Sequence, residues 1–308
     1  MKLLRFSTKK NHDLLGIVLD QSQILEINAS LEFFSIDIAE SISSMKKLLC
    51  CPAILKALNS IHEKTLSLQK NNAEAFIKLQ KKALFSIEDI TFLPPLENPQ
   101  KIICLGRNYS EHAKEGGKEP PKNPMIWGKF NSALLGHKQN IVLPSISNKV
   151  DVEVELVVVI GKKGKHIPEK KAMEYVAGYT IGNDVSARDY QYMDKQYTRA
   201  KTMDTFAPVG PWIVTTDELT SPHNLDIELS VNDNIWQQSN TSHMIFSIPY
   251  IISYLSKSFT FNPGDLIFTG TPSGVGHYQN PPIYLQKGDL VKLTIENIGT
   301  LQNGVVEE

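Results

Sequence analysis

Residues 151–161 constrain the fold more than any other part of the chain. They read DVEVELVVVIG, so acidic and apolar residues alternate first and a wholly apolar run follows. Alternation and β-branched residues predict a strand, and its period of two places Asp151, Glu153 and Glu155 on one face. Like charges that lead into a core are unfavourable without solvent or a counter-ion. The acidic end is therefore either solvated or bound to a cation.

A second acidic motif favours the cation. The segment GNDVSARD contains Asp184, whose simplest interpretation is a helix N-cap at a strand-to-helix transition, with Ser186 and Asp189 as possible cap partners. Together with Glu153 and Glu155, however, Asp184 completes a set of three carboxylates. Oxygen ligands of this kind suit Mg²⁺, Mn²⁺ or Ca²⁺ rather than Zn²⁺, which prefers His and Cys.

The overall composition excludes several classes of protein. The 308 residues carry 32 Lys+Arg against 33 Asp+Glu, which leaves no basic excess for a nucleic acid or a membrane surface. Three cysteines are too few for a disulfide framework. The basic N-terminus lacks the apolar segment of a signal peptide, and no run approaches the roughly 18 apolar residues of a membrane span. We therefore expect a cytoplasmic protein without nucleic-acid or membrane partners.

Two regions with different residue patterns predict two domains. In residues 1–97, short strand-like runs precede a long segment with helical spacing, and the Pro-rich stretch 92–99 follows as a linker. Residues 98–308 consist of short apolar runs between turn residues, with helices predicted only at 168–176 and 246–256. The predicted fold class is β-dominated α+β, with a smaller N-terminal α+β domain at 1–97 and a catalytic domain at 98–308.

His112 and Glu115 form a further candidate pair. At a spacing of i, i+3 their side chains meet on one helical turn, and a carboxylate beside an imidazole makes a general base near neutral pH. The following Gly116 and Gly117 would end that helix and serve as a hinge. The alternative is an exposed helix whose His and Glu are merely solvated.

Five motifs, in order, resemble the fumarylacetoacetate hydrolase superfamily. They are GRNYSEHAKE from residue 106, DVEVEL from 151, NDVSARD from 183, Lys201 with the following DTF, and TGTPSGVG from 269. The resemblance is to bacterial acylpyruvases and 2-hydroxyhepta-2,4-diene-1,7-dioate isomerases. It covers about residues 100–300, and residues 1–97 are similar, more weakly, to the N-terminal domain of many bacterial members.

The resemblance implies a fold, a metal and a substrate class. The fold is a mixed β-roll, usually homodimeric. The metal is a divalent ion, commonly Mg²⁺, bound by Glu153, Glu155 and Asp184, whereas Asp151 precedes the ligands and is not one of them. Substrates of the family are small 2-oxo or 2,4-dioxo acids.

The resemblance also implies roles for other residues. It makes His112 and Glu115 the base that activates water, on a short helix that orders over the substrate. It gives Lys201 an oxyanion or substrate-carboxylate role. The implied substrate contacts are Tyr109, Arg188, Gln191 and Thr271.

Three functions follow from these expectations. The first is metal-dependent hydrolysis of a C–C bond in a small 2,4-dioxo acid, such as an acylpyruvate. The second is isomerisation or decarboxylation of 2-hydroxymuconate-type dienoic acids, as in aromatic catabolism. The third is a non-catalytic, metal-stabilised binding protein, against which the intact carboxylate set and the His112–Glu115 pair argue.

Overall fold

The protein is described by a computed structural model that covers residues 1–20, 22–38 and 42–308. The strands of this part, numbered β1 to β19 in chain order, are Lys2–Ser7, Leu14–Val18, Gln23–Glu26, Leu84–Ser86, Thr91–Leu93, Ile102–Gly106, Met125–Lys129, Leu134–Leu135, Ile141–Leu143, Val150–Asp151, Val154–Ile160, Val176–Asn183, Ser186–Ala187, Ala207–Thr215, Asp226–Val231, Asn234–Asn240, Leu266–Phe268, Leu290–Ile295 and Gly299–Glu307. The α-helices, numbered α1 to α8, are Ile27–Phe33, Met45–Leu49, Pro52–Asn71, Ala73–Ala83, Ser110–Glu115, Arg188–Asp194, Tyr197–Lys201 and Ile248–Ser256. Short 3₁₀ helices cover Asn131–Ala133, Glu169–Tyr175, Thr241–His243 and Gly276–Tyr278.

A large mixed sheet forms the centre of the molecule. Its strand order is β4-β3-β2-β1-β14-β12-β11-β17-β6-β7, with β5 beside β1 and β8 beside β14. Strand β11 lies in the middle, pairs antiparallel with β12 and β17, and is buried along its whole length. Burial on both faces explains why its sequence becomes a continuous apolar run after Glu155.

A second sheet, β16-β15-β18-β19-β9, packs against the first. Leu229 of β15 and Leu293 of β18 share one buried cluster with Val158 of β11 and Ile181 of β12. The predicted fold class, a β-dominated mixture of strands and helices, is confirmed. None of the helices in the described part of the chain has the length and apolar character that crossing a bilayer requires.

The N-terminal region contributes strands to the same large sheet. Strand β1 pairs antiparallel with β14, with Leu3 opposite Ile213. Helix α3 begins at Pro52 and buries a stripe of residues at helical spacing, namely Ile54, Leu58, Ile61 and Thr65. The helical content predicted for this region is therefore present, but the described residues divide it among four helices. The domain division at residue 97 stays a prediction.

The acidic strand differs from its predicted form. It is interrupted, because β10 ends at Asp151 and β11 begins at Val154. Side chains replace the sheet partners at the break: the Asn183 amide oxygen accepts from the Glu153 N–H at 3.0 Å, and the Gln237 amide oxygen accepts from the Val154 N–H at 2.9 Å. The prediction of one continuous strand was wrong for this reason.

Three further predictions of local structure need correction. The helix predicted at 168–176 is a 3₁₀ helix over Glu169–Tyr175. The helix predicted at 246–256 is α8, which begins at Ile248 because the Ser247 side chain caps it. Asp184 is not a helix N-cap, since the short strand β13 separates it from α6, whose N-cap position is Ala187.

Candidate active site

Three carboxylates meet where β11 and β12 run side by side. In the antiparallel register Val154 lies opposite Asn183 and Glu155 opposite Gly182. Glu153 therefore lies beside Asp184, whose N–H donates to the Glu153 carbonyl oxygen at 3.0 Å. One carboxylate oxygen from each of these three residues lies within 4.8 Å of the other two. Glu153, Glu155 and Asp184 are 3%, 1% and 0% exposed, which excludes the alternative of a solvated strand end.

Protein cations neutralise part of this cluster. The Lys201 ammonium lies 2.8 Å from both Glu153 and Asp184, and the Lys129 ammonium lies 2.7 Å from Asp184. Arg188 contacts Glu153 at 2.6 Å. Burial alone would raise the pKa of Glu153, but Lys201 and Arg188 outweigh burial and hold it well below its usual range. Burial would likewise lower the pKa of Lys201, yet the Asp184 and Glu153 charges raise it.

Asp151 belongs to the scaffold beneath the cluster. Its carboxylate lies 2.8 Å from Arg188 and accepts backbone N–H bonds from Gly276 at 3.0 Å and His277 at 3.1 Å. A carboxylate with this many donors is fully satisfied by the protein. The arrangement agrees with the expectation that Asp151 is not a metal ligand.

Glu155 differs from the other acidic residues because no lysine or arginine pairs with it in the described part of the chain. Its carboxylate accepts one backbone bond, from the Gly270 N–H at 2.6 Å. Burial, with the nearby Asp184 and Glu153 charges, raises the pKa of Glu155 well above its usual range. Gly270 has a φ of +98°, and a Cβ there would lie 2.7 Å from the Asn108 Cβ, so this close approach requires glycine.

The charge balance fits a bound cation. Four buried carboxylates (Asp151, Glu153, Glu155 and Asp184) face three cations (Lys129, Arg188 and Lys201), so when all four are ionised one negative charge, at Glu155, has no protein partner. A divalent ion would compensate that charge, and the all-oxygen donors suit Mg²⁺, Mn²⁺ or Ca²⁺. Glu153, Glu155 and Asp184 would hold it.

The His112–Glu115 pair lies on the predicted helical turn, α5. The His112 Nδ1 is 2.7 Å from one Glu115 oxygen, and the other Glu115 oxygen accepts from the Gly274 N–H at 2.9 Å. The side chains are only 11% and 21% exposed, so the alternative of a solvated surface pair does not hold. With its Nδ1 engaged by the carboxylate, the imidazole keeps its Nε2 for a substrate.

A cavity of about 430 Å³ joins these groups. The predicted site residues that line it are His112, Glu153, Glu155, Arg188, Gln191, Lys201 and Thr271. The other predicted residues lie behind the wall: Asp184 is fully buried, Glu115 is behind His112, and Tyr109 is 1% exposed. Burial, with the Glu155 charge, raises the pKa of Tyr109, whose hydroxyl has no hydrogen-bond partner in the described part of the chain.

Three of the four predicted substrate contacts, Arg188, Gln191 and Thr271, are already engaged by the protein. The Arg188 Nη1 donates to the Gln191 amide oxygen at 3.0 Å, while its other nitrogens bind Asp151 and Glu153. The Thr271 hydroxyl accepts from the Gln237 amide nitrogen at 2.8 Å. Their roles toward a substrate stay predictions.

Several residues at the site have contacts that were not predicted, among them Lys129 and Trp127. Lys129, at the end of β7, contacts Asp184 and also donates to the main-chain oxygens of Lys201 and, at 2.8 Å, Phe206. Trp127 places its ring 4.8 Å from the Lys201 ammonium. The resemblance to the family placed the segment that begins at Lys129 in the wall of the site, but the sequence did not predict its pairing with Asp184, 55 positions further along the chain (184 − 129).

Comparison with known proteins identifies relatives over most of the chain. The family model described as fumarylacetoacetate (FAA) hydrolase C-terminal matches residues 101–306. The human oxaloacetate tautomerase FAHD2A, mitochondrial, is 44% identical over 260 residues, which are 82% of this chain and 83% of that protein.

Solved structures of related enzymes are also similar to this chain along its whole length. A maleylpyruvate hydrolase from Sphingobium sp. SYK-6, in complex with manganese(II) ion and pyruvate, is 29% identical and has a TM-score of 0.76, covering 100% of this chain and 99% of that one. A 2-hydroxyhepta-2,4-diene-1,7-dioate isomerase from Mycobacterium marinum is 32% identical, with a TM-score of 0.71 and the same coverage. On these matches, the chain belongs to the fumarylacetoacetate hydrolase family of enzymes.

Proposed function

We propose that the protein is a divalent-metal-dependent tautomerase that interconverts the keto and enol forms of a small 2-oxo acid of the oxaloacetate class. The observation that carries the proposal is the placement of the acidic cluster with Lys201 and of the His112–Glu115 pair on one cavity. The curated relatives support tautomerisation over hydrolysis, since the human oxaloacetate tautomerase is 44% identical over 82% of this chain.

The proposed reaction moves one proton. The His112 Nε2 takes a proton from the carbon next to the 2-oxo group, and the C–H electron pair forms the C=C bond of the enolate. The Lys201 ammonium stabilises the negative charge that develops on the 2-oxo oxygen. The His112 imidazolium then releases this proton, which is delivered to the 2-oxo oxygen. This transfer completes the enol and restores the base, and the reverse sequence returns the keto form.

Glu115 prepares His112 for this task. In the neutral tautomer that donates its Nδ1–H to the Glu115 carboxylate, the Nε2 can act as the base. The Gly274 N–H fixes the carboxylate from the other side. A divalent ion bound by Glu153, Glu155 and Asp184 would supply Lewis-acid polarisation of the 2-oxo group.

The proposed ion is Mg²⁺, with Mn²⁺ or Ca²⁺ as alternatives. Hard oxygen ligands support all three, and the related hydrolase from Sphingobium was solved with manganese(II) and pyruvate. Removal of metal by chelation, followed by addition of each ion, ranks them by restored activity.

A second candidate is hydrolysis of a C–C bond in a 2,4-dioxo acid such as an acylpyruvate. The His112–Glu115 pair favours it, because the same base could activate a water molecule. The similarity to a maleylpyruvate hydrolase, which extends along the whole chain, also supports it. The isomerase or decarboxylase alternative rests on the similarity to the M. marinum isomerase.

One experiment separates these candidates. Oxaloacetate in its enol form is mixed with the Mg²⁺-loaded protein, and the decay of enol absorbance is followed beside an assay for released pyruvate with acylpyruvates. The proposal expects fast tautomerisation and little pyruvate. Rapid pyruvate release with no acceleration of tautomerisation would replace it by the hydrolase.

The predicted homodimer and the predicted cytoplasmic location remain part of the proposal. Edge strand β7 supports a dimer, because Ile126 is 41% exposed there and the adjoining Phe130 is 60% exposed. Light scattering of the purified protein tests the oligomeric state. Several relatives have the word mitochondrial in their names, so the location needs imaging of the tagged full chain.

A further inference from the structure

We propose that Arg107 is a specificity residue that binds a second, distal carboxylate of the substrate, so that the site selects dicarboxylic 2-oxo acids over monocarboxylic ones. This inference rests on the proposed function for the placement of the 2-oxo acid end at the acidic cluster. The new element is the part of the cavity that would receive the distal end of the substrate.

Arg107 is a cavity residue held in a strained conformation. It directly follows β6 and has a φ of +55°, a left-handed conformation that costs a non-glycine residue of order 1 kcal/mol or more. The neighbouring Asn108 is fully buried and fixes the backbone: its side chain donates to the carbonyl oxygens of Thr269 at 2.7 Å and Phe246 at 3.1 Å. Such strain persists only where the surroundings impose it, and it concentrates at functional sites.

The Arg107 guanidinium has no acidic partner in the described part of the chain. The contact recorded for it is with the Met125 sulfur at 3.5 Å. The other arginine and the lysine that face the cavity beside the acidic cluster, Arg188 and Lys201, are both paired with carboxylates. Arg107 therefore brings an uncompensated positive charge to a wall that also carries an apolar side chain, where binding of an anion is stronger than in open water.

The spacing of side chains along β7 suits a short dicarboxylic acid. Arg107 lies against Met125, and Trp127, two residues along β7, lies against Lys201, with the ammonium 4.8 Å from its ring. Side chains two residues apart on a strand are separated by about 7 Å. A molecule with its 2-oxo carboxylate near Lys201 can thus present a distal carboxylate to Arg107.

The planar N–H donors of an arginine guanidinium are well matched to a carboxylate. Arginine binds carboxylates in a bidentate manner and stays charged at every physiological pH. Lys118 also lines the cavity and is unpaired in the described residues, but it is exposed and flexible, so it attracts anions without orienting them. Arg107 is therefore the residue expected to distinguish a carboxylate from a methyl group.

The test measures binding rather than turnover. Two stable four-carbon probes, malate and 2-hydroxybutyrate, differ only at the distal end, which is a carboxylate in the first and a methyl group in the second. Their affinities for the Mg²⁺-loaded full chain are measured by calorimetry. The native protein is expected to bind malate at least tenfold more tightly, which corresponds to about 1.4 kcal/mol.

Two variants complete the test. Arg107→Met keeps the length of the side chain and is expected to abolish the preference for malate while leaving the affinity for 2-hydroxybutyrate within about twofold. Arg107→Lys, which keeps the charge, should retain part of the preference, and Lys122→Gln, at an exposed lysine outside the cavity lining, serves as the control with nearly native selectivity. The proposal would be overturned if the native protein showed no preference for malate. It would also be overturned if Arg107→Met lowered the affinities for both probes equally, or left both affinities unchanged.

Failure of this inference can be separated from failure of the proposed function. Selective binding that depends on Arg107 in a protein without tautomerase activity would refute the tautomerase and leave the subsite standing. Tautomerase activity that is unchanged in Arg107→Met with all dicarboxylic and monocarboxylic substrates would refute the subsite alone.

Discussion

The floor and the rim of the cavity are built in opposite ways. The floor carboxylates Glu153, Glu155 and Asp184 are at most 3% exposed, and Lys129, Lys201 and Arg188 hold two of them. The rim consists of the six-residue helix α5, whose His112 is 11% exposed, and of Arg107, which has no acidic partner among the described residues.

The difference separates two tasks. Buried charges need partners in fixed positions, because an unpaired charge in a core is strongly unfavourable. The floor can therefore keep one negative charge, at Glu155, only where a cation is to bind. At the rim, the Arg107 guanidinium has no acidic partner among the described residues, and His112 is held by Glu115 only through its Nδ1. The guanidinium and the His112 Nε2 therefore remain available to the substrate, as selectivity and proton transfer require.

Glu155→Gln is expected to have the largest effect. The substitution keeps the shape and removes the one floor charge that no protein cation neutralises, so affinity for Mg²⁺ should fall by more than about 100-fold, since even residues behind metal ligands contribute 10–100-fold. Metal-free stability should be unchanged or higher. Calorimetry with Mg²⁺ and thermal unfolding in a chelator measure the two quantities.

His112→Ala should lower the tautomerisation rate by roughly 10²–10⁴-fold, the contribution typical of a general base. Affinity for Mg²⁺ should stay near the native value, since His112 belongs to the rim. A variant with native turnover would remove His112 from the mechanism and, with it, the distinction between rim and floor.

Asp151→Asn tests the scaffold beneath the floor. Asp151 pairs with Arg188 at 2.8 Å in a fully buried position, and removal of one partner of a buried ion pair costs about 3–5 kcal/mol. The expected result is a large loss of stability with or without metal, in contrast to Glu155→Gln. Equal stability of the two variants would contradict the division between scaffold and ligand.

His137 gives a smaller effect, outside the cavity. Burial lowers its pKa to about 4, and its Nδ1 accepts from the Gln302 N–H at 3.0 Å. The pKa of His137 in the folded protein lies below its unfolded value of about 6.5. The contribution of neutral His137 to the free energy of unfolding is therefore complete above pH 6.5 and falls as the pH drops toward 4. Unfolding temperatures of the native chain and His137→Gln should therefore converge at low pH, and a constant difference would contradict the assignment.

The acidic cluster was largely predictable from the sequence, but the neutralisation of its charge by lysine and arginine side chains was not. Alternation along residues 151–155 placed the carboxylates together, since the period of a strand is a local property. The pairing of Lys129 with Asp184 depends instead on how β7 and β12 are brought together across the sheet, which no local pattern encodes. The position of Arg107 was missed for the same reason, because its lack of a partner is visible only in three dimensions.

The same distinction between local sequence patterns and long-range pairing applies to the fold. Short apolar runs predicted most strands and the fold class, whereas the pairing of Leu3 with Ile213 joins residues 210 positions apart (213 − 3). The interruption at Val152 and Glu153 was also beyond a pattern argument. It depends on Asn183 and Gln237, two distant amides that replace backbone partners.

The most direct test of the central claim is the rate of enol-to-keto conversion of oxaloacetate by the chelated protein before and after addition of Mg²⁺. The proposed metal dependence predicts little acceleration without metal, strong acceleration with Mg²⁺, and none at the same Mg²⁺ concentration in Glu155→Gln. Equal acceleration by the chelated and the Mg²⁺-loaded protein, or by Glu155→Gln, would contradict it.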